Sequence, residues 1–274
     1  MKTALLILAL LLLSACANET TPLRSTVQSN PFFIRPPLEI LEPEMAEVVY
    51  EEVSVQEAPF KTQQGHYVYL TFDDGPTRNT STLLDILYRY GILGTFFFQG
   101  DMIQSHPYQA QILERTLLEG HYIGLHSMSH NPYLLYWGTN AYRTFYEEMR
   151  KNQELLYELT GVHTNLVRPP FGTAGTFNDN HIATIAESDF KIWDWNVDSR
   201  DWWHNSVDSI MSEITTTMTK LGYPQKVVVL FHEHDVTVAA LPFVIAYFKE
   251  LGFSFVPYHP DNHFLMNFLN HPDF

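Results

Sequence analysis

From residue 65 onward the sequence predicts an α/β fold, a distorted (β/α) barrel of about seven parallel strands. Three observations predict it. Apolar, β-prone runs alternate with segments of helical periodicity. The connections are short, as when helices link parallel strands. Clusters of reactive side chains follow the strand-like runs directly, and the carboxyl ends of parallel strands are where such folds build their ligand face.

The strand-like runs are 67–72, 95–98, 122–125, 165–167, 190–197, 227–231 and 253–256. Helix-like segments lie between them at 80–90, 109–119, 141–159, 180–188, 206–220 and 239–251. Their apolar residues recur at spacings of three and four, as in Leu83, Leu84 and Leu87, or Met149, Leu155, Leu156 and Leu159. No internal repeat is present. With 274 residues, 45% of them hydrophobic, the chain supports one sizeable core and not two large domains.

Five reactive clusters, far apart in sequence, would converge on one rim. They are Asp73-Asp74-Gly75-Pro76, the stretch from His126 to His130, Arg168-Pro169-Pro170-Phe171-Gly172, the stretch from Asp198 to Trp203, and His232-Glu233-His234-Asp235. His126 and His130 are four apart, close enough to reach one ion. Two imidazoles and a carboxylate suit Zn²⁺ or a similar divalent ion, with positions left for water. Alone, the pair also fits two polar side chains on a surface turn. Strand side chains alternate faces, but the Gly75-Pro76 turn breaks that rule and can aim Asp73 and Asp74 inward together. One carboxylate would bind the ion and the other would take a proton from water. The same dipeptide also fits an acidic turn that only solvates a loop. His232 ends a very apolar strand. It is either a satisfied core residue or an acid that protonates a leaving group near neutral pH. Asp201 would orient it. Arg168 would hold Asp73 ionised, or serve as a structural ion pair, or both. Trp193 and Trp195 fit core packing, while Trp202 or Trp203 would stack on a ligand.

The N-terminal part reads differently. Lys2, an apolar run from Ala4 to Leu13 and small residues at 14–15 make a secretion signal over residues 1–15. The run is too short to span a membrane, which takes about 20 apolar residues. Leu13-Ser14-Ala15-Cys16 resembles a bacterial lipobox, in which Cys16, the sole cysteine, is lipidated. Two or more acyl chains there would anchor the chain stably at a membrane. Residues 16–62 then form a Pro- and Glu-rich spacer, with 48–55 a local strand candidate. Residues 63–260 form the domain, and 261–274 a tail with no evident role. The net charge of −15 excludes nucleic acid as a natural partner, because phosphate binding needs clustered Lys and Arg. Nothing in the sequence sets an oligomeric state.

The five clusters, in order and spacing, resemble the polysaccharide deacetylase family, carbohydrate esterase family 4, with its NodB homology domain. The resemblance spans about residues 65–260. It implies a NodB-like barrel and an N-deacetylase that releases acetate from an acetylated polysaccharide containing N-acetylglucosamine. It implies Asp73 as the base and Asp74, His126 and His130 as ligands of one divalent ion, Zn²⁺ first, with Co²⁺, Ni²⁺ or Mn²⁺ as alternatives. Arg168 would steady the base. The Phe171 N–H would help bind the oxyanion. Asp201 would tune His232, the acid, and Trp202 would wall the pocket. One departure is Glu233, where the family often has Asp. The segment 130–141, with Tyr133, Tyr136 and Trp137, is a candidate substrate loop. Export and a lipid anchor at Cys16 favour a cell-envelope polymer, on the outer or the plasma membrane. An O-acetyl xylan esterase, a small-amide amidohydrolase and a non-catalytic carbohydrate-binding lipoprotein are the alternatives.

Overall fold

The computed structural model describes residues 65–274. The signal segment 1–15, Cys16, the spacer 16–62 and the strand candidate at 48–55 lie outside the described residues.

The elements run β1 (Tyr67–Gly75), α1 (Thr80–Tyr90), β2 (Thr95–Phe98), α2 (Gly100–Ser105), α3 (Gln109–Leu118), β3 (Tyr122–Leu125), α4 (Pro132–Leu135) and α5 (Ala141–Thr160). They continue β4 (Leu166–Val167), α6 (Asp179–Ala186), β5 (Lys191–Ile192), β6 (Val197–Asp198), α7 (Val207–Leu221), β7 (Lys226–His232), α8 (Asp235–Glu250) and β8 (Ser254–Phe255). Every strand pairing is parallel, in the order β5-β4-β3-β2-β1-β7-β6. β8 lies beside the first residues of β1, which β2 does not reach. Seven parallel strands thus form a curled half-barrel, open between β5 and β6.

Strand alternation builds two apolar layers. Val68, Leu70 and Phe72 of β1 point outward and join the large core under the helices. Tyr69 points inward, where it meets Phe97, Leu166, Trp193, Val228 and Tyr258. This second cluster plugs the barrel. Gly124 is required there, because a Cβ would sit 2.6 Å from the Phe97 ring. Counting by twos along the inner face gives Tyr69, Thr71 and Asp73 on β1, then Leu166 and Arg168 at β4, then Val228, Leu230 and His232 on β7. The polar members stand at the carboxyl end, above the plug.

The expected strand over 190–197 is interrupted. The Trp193 N–H still donates to the Val167 carbonyl of β4 and the Asn196 N–H to the Val228 carbonyl of β7, but Trp193 bridges Met266 and the Asp194 N–H donates to the Met266 carbonyl at 2.6 Å, so the run breaks between β5 and β6. The last helix begins at Asp235 rather than 239 and accommodates Pro242. The short helices α2 and α4 add to the elements expected from periodicity. Residues 261–274 pack against the rest of the described residues: Phe274 is buried, and the Trp193 indole N–H donates to the Phe264 carbonyl. Residues 261–274 therefore close the open side of the barrel.

Candidate active site

All five clusters meet at the carboxyl end of the sheet. A cavity of about 410 Å³ is lined by Asp73, Asp74, His126, His130, Phe171, Trp195, Asp198, Trp202, Leu230, His232 and His234.

Asp73 follows the inner face of β1 and pairs in register with His232 of β7. Asp74 should then point away. It does not, because the pairing with β2 slips between Asp73 and Gly75 and Asp74 takes φ 65°. Both carboxylates therefore reach one cavity. Among the described non-glycine residues with positive φ, Asp74, Ser127, His130, Phe171 and Arg200 all sit in these rim segments. Such strain concentrates where surrounding structure holds a functional geometry in place.

The side chains of Asp74, His126 and His130 offer ligand atoms within 4.8 Å of one another. Both imidazole Nε2 atoms lie 3.3 Å from Asp74 Oδ1. That oxygen is buried and receives no hydrogen bond. His126 Nδ1 meets the Arg168 carbonyl at 2.7 Å, which makes Nδ1 the donor and leaves Nε2 a lone pair facing Asp74. This donor set fits a divalent cation. Electrostatics agree. Burial pushes the Asp74 carboxyl up, but the neighbouring imidazoles hold it well below the usual carboxylate range. Burial pushes His126 down, yet Asp73 and Asp74 leave it raised. His130 is lowered by burial and by His126. The site favours positive charge, and a divalent cation held there would take the lone pairs of neutral imidazoles.

Arg168 is fully buried, with its guanidinium 4.1 Å over the Phe97 ring that plugs the barrel. It donates to Asp73 Oδ1 at 2.9 Å, to the Thr71 hydroxyl at 2.6 Å and to the carbonyls of Trp193 and Asp194. Asp73 is thereby fixed from below. On the other wall, Asp201 accepts from His232 Nδ1 at 2.8 Å, from the His232 backbone N–H at 2.6 Å and from the Thr237 hydroxyl. Nε2 is left to present a proton to the cavity. Burial lowers the His232 pKa, but the hydrogen bond and charge of Asp201, with Asp73 and Asp74, raise it to about 9. Phe171 is exposed, its ring 4.7 Å from His130, and no described residue accepts its backbone N–H. Trp202 is exposed beside the cavity.

Sequence reasoning missed the residues that brace these loops. Glu148 accepts from the N–H groups of Met128 and Ser129, and Asn152 donates to the carbonyls of Phe98 and Ser127. Both lie on the buried face of α5 beside Met149 and Leu156. A polar residue on an apolar stripe was the available signal. Buried Asp194 accepts from Thr173 and from the Phe268 N–H, tying the Phe171 loop to the C-terminal segment. Glu233 accepts from the Thr77 N–H at 2.8 Å and from the Thr80 hydroxyl, clasping the turn after Asp74. Burial pushes it up to about 7, against those hydrogen bonds.

The comparisons with known proteins agree with this geometry. The polysaccharide deacetylase family model matches residues 60–193. A peptidoglycan-N-acetylglucosamine deacetylase of Bacillus cereus is 35% identical over 212 residues, 76% of this chain and 75% of that protein. The crystal structure of the polysaccharide deacetylase Bc1974 from Bacillus cereus superposes with a TM-score of 0.69 at 34% identity, over 76% of this chain and 100% of that one. A Streptococcus mutans CE4 esterase superposes with a TM-score of 0.65 at 29% identity, over 71% and 86%. The chain belongs to the polysaccharide deacetylase family and is an enzyme of that family.

Proposed function

We propose that this chain is a cation-dependent N-deacetylase acting on N-acetylglucosamine residues of a cell-envelope polysaccharide. The observation that carries the reading is the shared cavity: a three-residue cation site beside a carboxylate braced by Arg168, facing an imidazole braced by Asp201. The residues of the cation site are Asp74, His126 and His130. A divalent cation held there supplies Lewis-acid polarisation of the acetamide and acidifies water.

The chain's own residues do the rest. Asp73 takes the proton from the attacking water. Arg168 keeps that carboxylate aligned. The Phe171 N–H donates to the oxygen that gains negative charge as the carbonyl carbon becomes tetrahedral. His232 Nε2 gives its proton to the departing nitrogen, releasing acetate and a free amine. Trp202 walls the acetyl group. The relative from Bacillus cereus is named for peptidoglycan N-acetylglucosamine, which supports that substrate class.

The test is acetate release from N-acetylglucosamine oligomers by the full-length chain, after chelation and again after Zn²⁺ is restored. Release should vanish on chelation and return with Zn²⁺; Co²⁺, Ni²⁺ and Mn²⁺ rank the alternatives. Release unaffected by thorough chelation would sink the cation-dependent reading. Zn²⁺-dependent release from O-acetylated xylan alone would convert the assignment to an O-acetyl esterase.

We further propose export and lipid anchoring at Cys16, on the sequence of residues 1–16. Cys16→Ser should move the protein from the membrane fraction to the soluble fraction. An unchanged membrane share would exclude that anchor.

A further inference from the structure

We propose that Tyr133 and Trp137 form a sugar-stacking platform that binds the polymer beyond the residue being deacetylated. The inference rests on the deacetylase reading and deepens it, because such a platform selects a glycan chain over a small acetylated molecule. Tyr133 is 67% exposed and Trp137 60%. Their rings meet edge-on, with centroids 4.5 Å apart and planes at 86°. An edge-on pair leaves a broad ring face open, and such a face matches the C–H face of a pyranose while polar edges stay in water.

Single exposed aromatics need no explanation. Three observations set this pair apart. The first is position. Tyr133 follows His130 by three residues, so their Cα atoms lie within about 11 Å. His130 lines the cavity, so Tyr133 stands near its rim, outside the residues that line it, where a polymer extending from the cavity can reach it.

The second is construction. Asn131 caps α4 by accepting the Tyr133 N–H at 3.0 Å, and Pro132 opens the helix. Leu135 and Tyr136 are buried beneath it. The Leu135 carbonyl is held by His181 Nε2 at 2.8 Å. The Tyr136 hydroxyl donates to the Pro170 carbonyl at 2.8 Å, one residue before Phe171. Buried anchors thus lock the exposed pair to the Phe171 wall of the cavity, and the platform is preformed.

The third is distribution. Of the five tryptophans, Trp137, Trp202 and Trp203 are the exposed ones, and all three follow the carboxyl ends of strands. Exposed apolar rings in the connections that follow β3 and β6 mark candidate binding surface. Trp202 lines the cavity itself, so an exposed aromatic also stands at the reacting centre.

The test compares the full-length, Zn²⁺-loaded chain with its Tyr133→Ala/Trp137→Ala variant. Acetate release is followed on the N-acetylglucosamine dimer and hexamer, and co-sedimentation is measured with insoluble chitin. The hexamer KM should rise about tenfold, equivalent to about 1.4 kcal/mol, with kcat and the dimer kinetics unchanged. An unchanged hexamer KM overturns the platform. So does an equal loss on dimer and hexamer, which would place the damage in the cavity. If the unsubstituted chain deacetylates neither oligomer, the proposed activity on this glycan fails and sedimentation alone decides. Retention lost in the variant supports the platform; equal retention, or none by either protein, overturns it.

Discussion

Asp73→Asn should leave a folded, Zn²⁺-loaded protein whose kcat is lower by about 10²-fold or more, the usual contribution of a positioned general base. Two side effects of this substitution can be separated from the chemistry. Arg168 is buried and donates to Asp73 Oδ1 at 2.9 Å. Asparagine keeps an oxygen acceptor there but leaves the guanidinium uncompensated, and breaking a buried pair costs about 3–5 kcal/mol at the upper end. Thermal unfolding should therefore show a lower Tm, and activity must be read well below it. Asp73 Oδ2 also lies 3.9 Å from His126 Nε2, so its charge contributes to cation affinity. Saturating Zn²⁺ removes that contribution. A kcat close to the unsubstituted value, with folding and Zn²⁺ occupancy confirmed, would remove Asp73 from the role of base.

The sequence exposed this site well for a physical reason. A fully buried parallel strand must be apolar on both faces. A run such as Val227–Phe231 therefore shows its end as an abrupt change to His232, and the change marks the ligand face. The Asp73, His126, Arg168, Asp201 and His232 clusters all carry that mark. What stayed hidden lacks such a transition. Residues 190–197 look like one strand, because nothing in the run of Ile192, Trp193, Trp195 and Val197 shows that the Asp194 N–H turns away to the Met266 carbonyl. The C-terminal segment packs through irregular backbone bonds to Asp194 and Trp193, which leave no period to find. Inward aim at Asp74 depends on one bulge and a positive φ. The Gly-Pro that follows announced a break in alternation but not its direction.

The same geometry sets how the rate should depend on pH. His232 must carry a proton to serve as the acid, so the productive form exists below its pKa and the rate falls as pH rises through it. Without a cation that pKa is about 9. A cation at Asp74 cancels the upward pull of that carboxylate, so the loaded enzyme should lose kcat/KM through a limb below 9. Asp201→Asn removes the carboxylate whose hydrogen bond and charge most raise His232, and leaves burial pulling downward. The alkaline limb should then move to lower pH by about one unit or more, the usual effect of one close opposite charge. The asparagine also cannot satisfy the groups around it. Asp201 accepts from His232 Nδ1 through one oxygen and from the His232 N–H and Thr237 through the other. In the variant an amide nitrogen must face one of these groups. Turned toward the backbone N–H, it leaves a buried donor unpaired, at about 1–3 kcal/mol. Turned toward Nδ1, it forces the tautomer that moves the proton to Nε2 and stabilises neutral imidazole. Either way kcat at pH 8 should fall sharply, and more than at pH 6, where protonation of His232 is easier. His232→Ala should lose about 10²-fold or more at both pH values. If Asp201→Asn leaves the alkaline limb in place, while circular dichroism shows the native fold, the proton on the leaving nitrogen comes from another group.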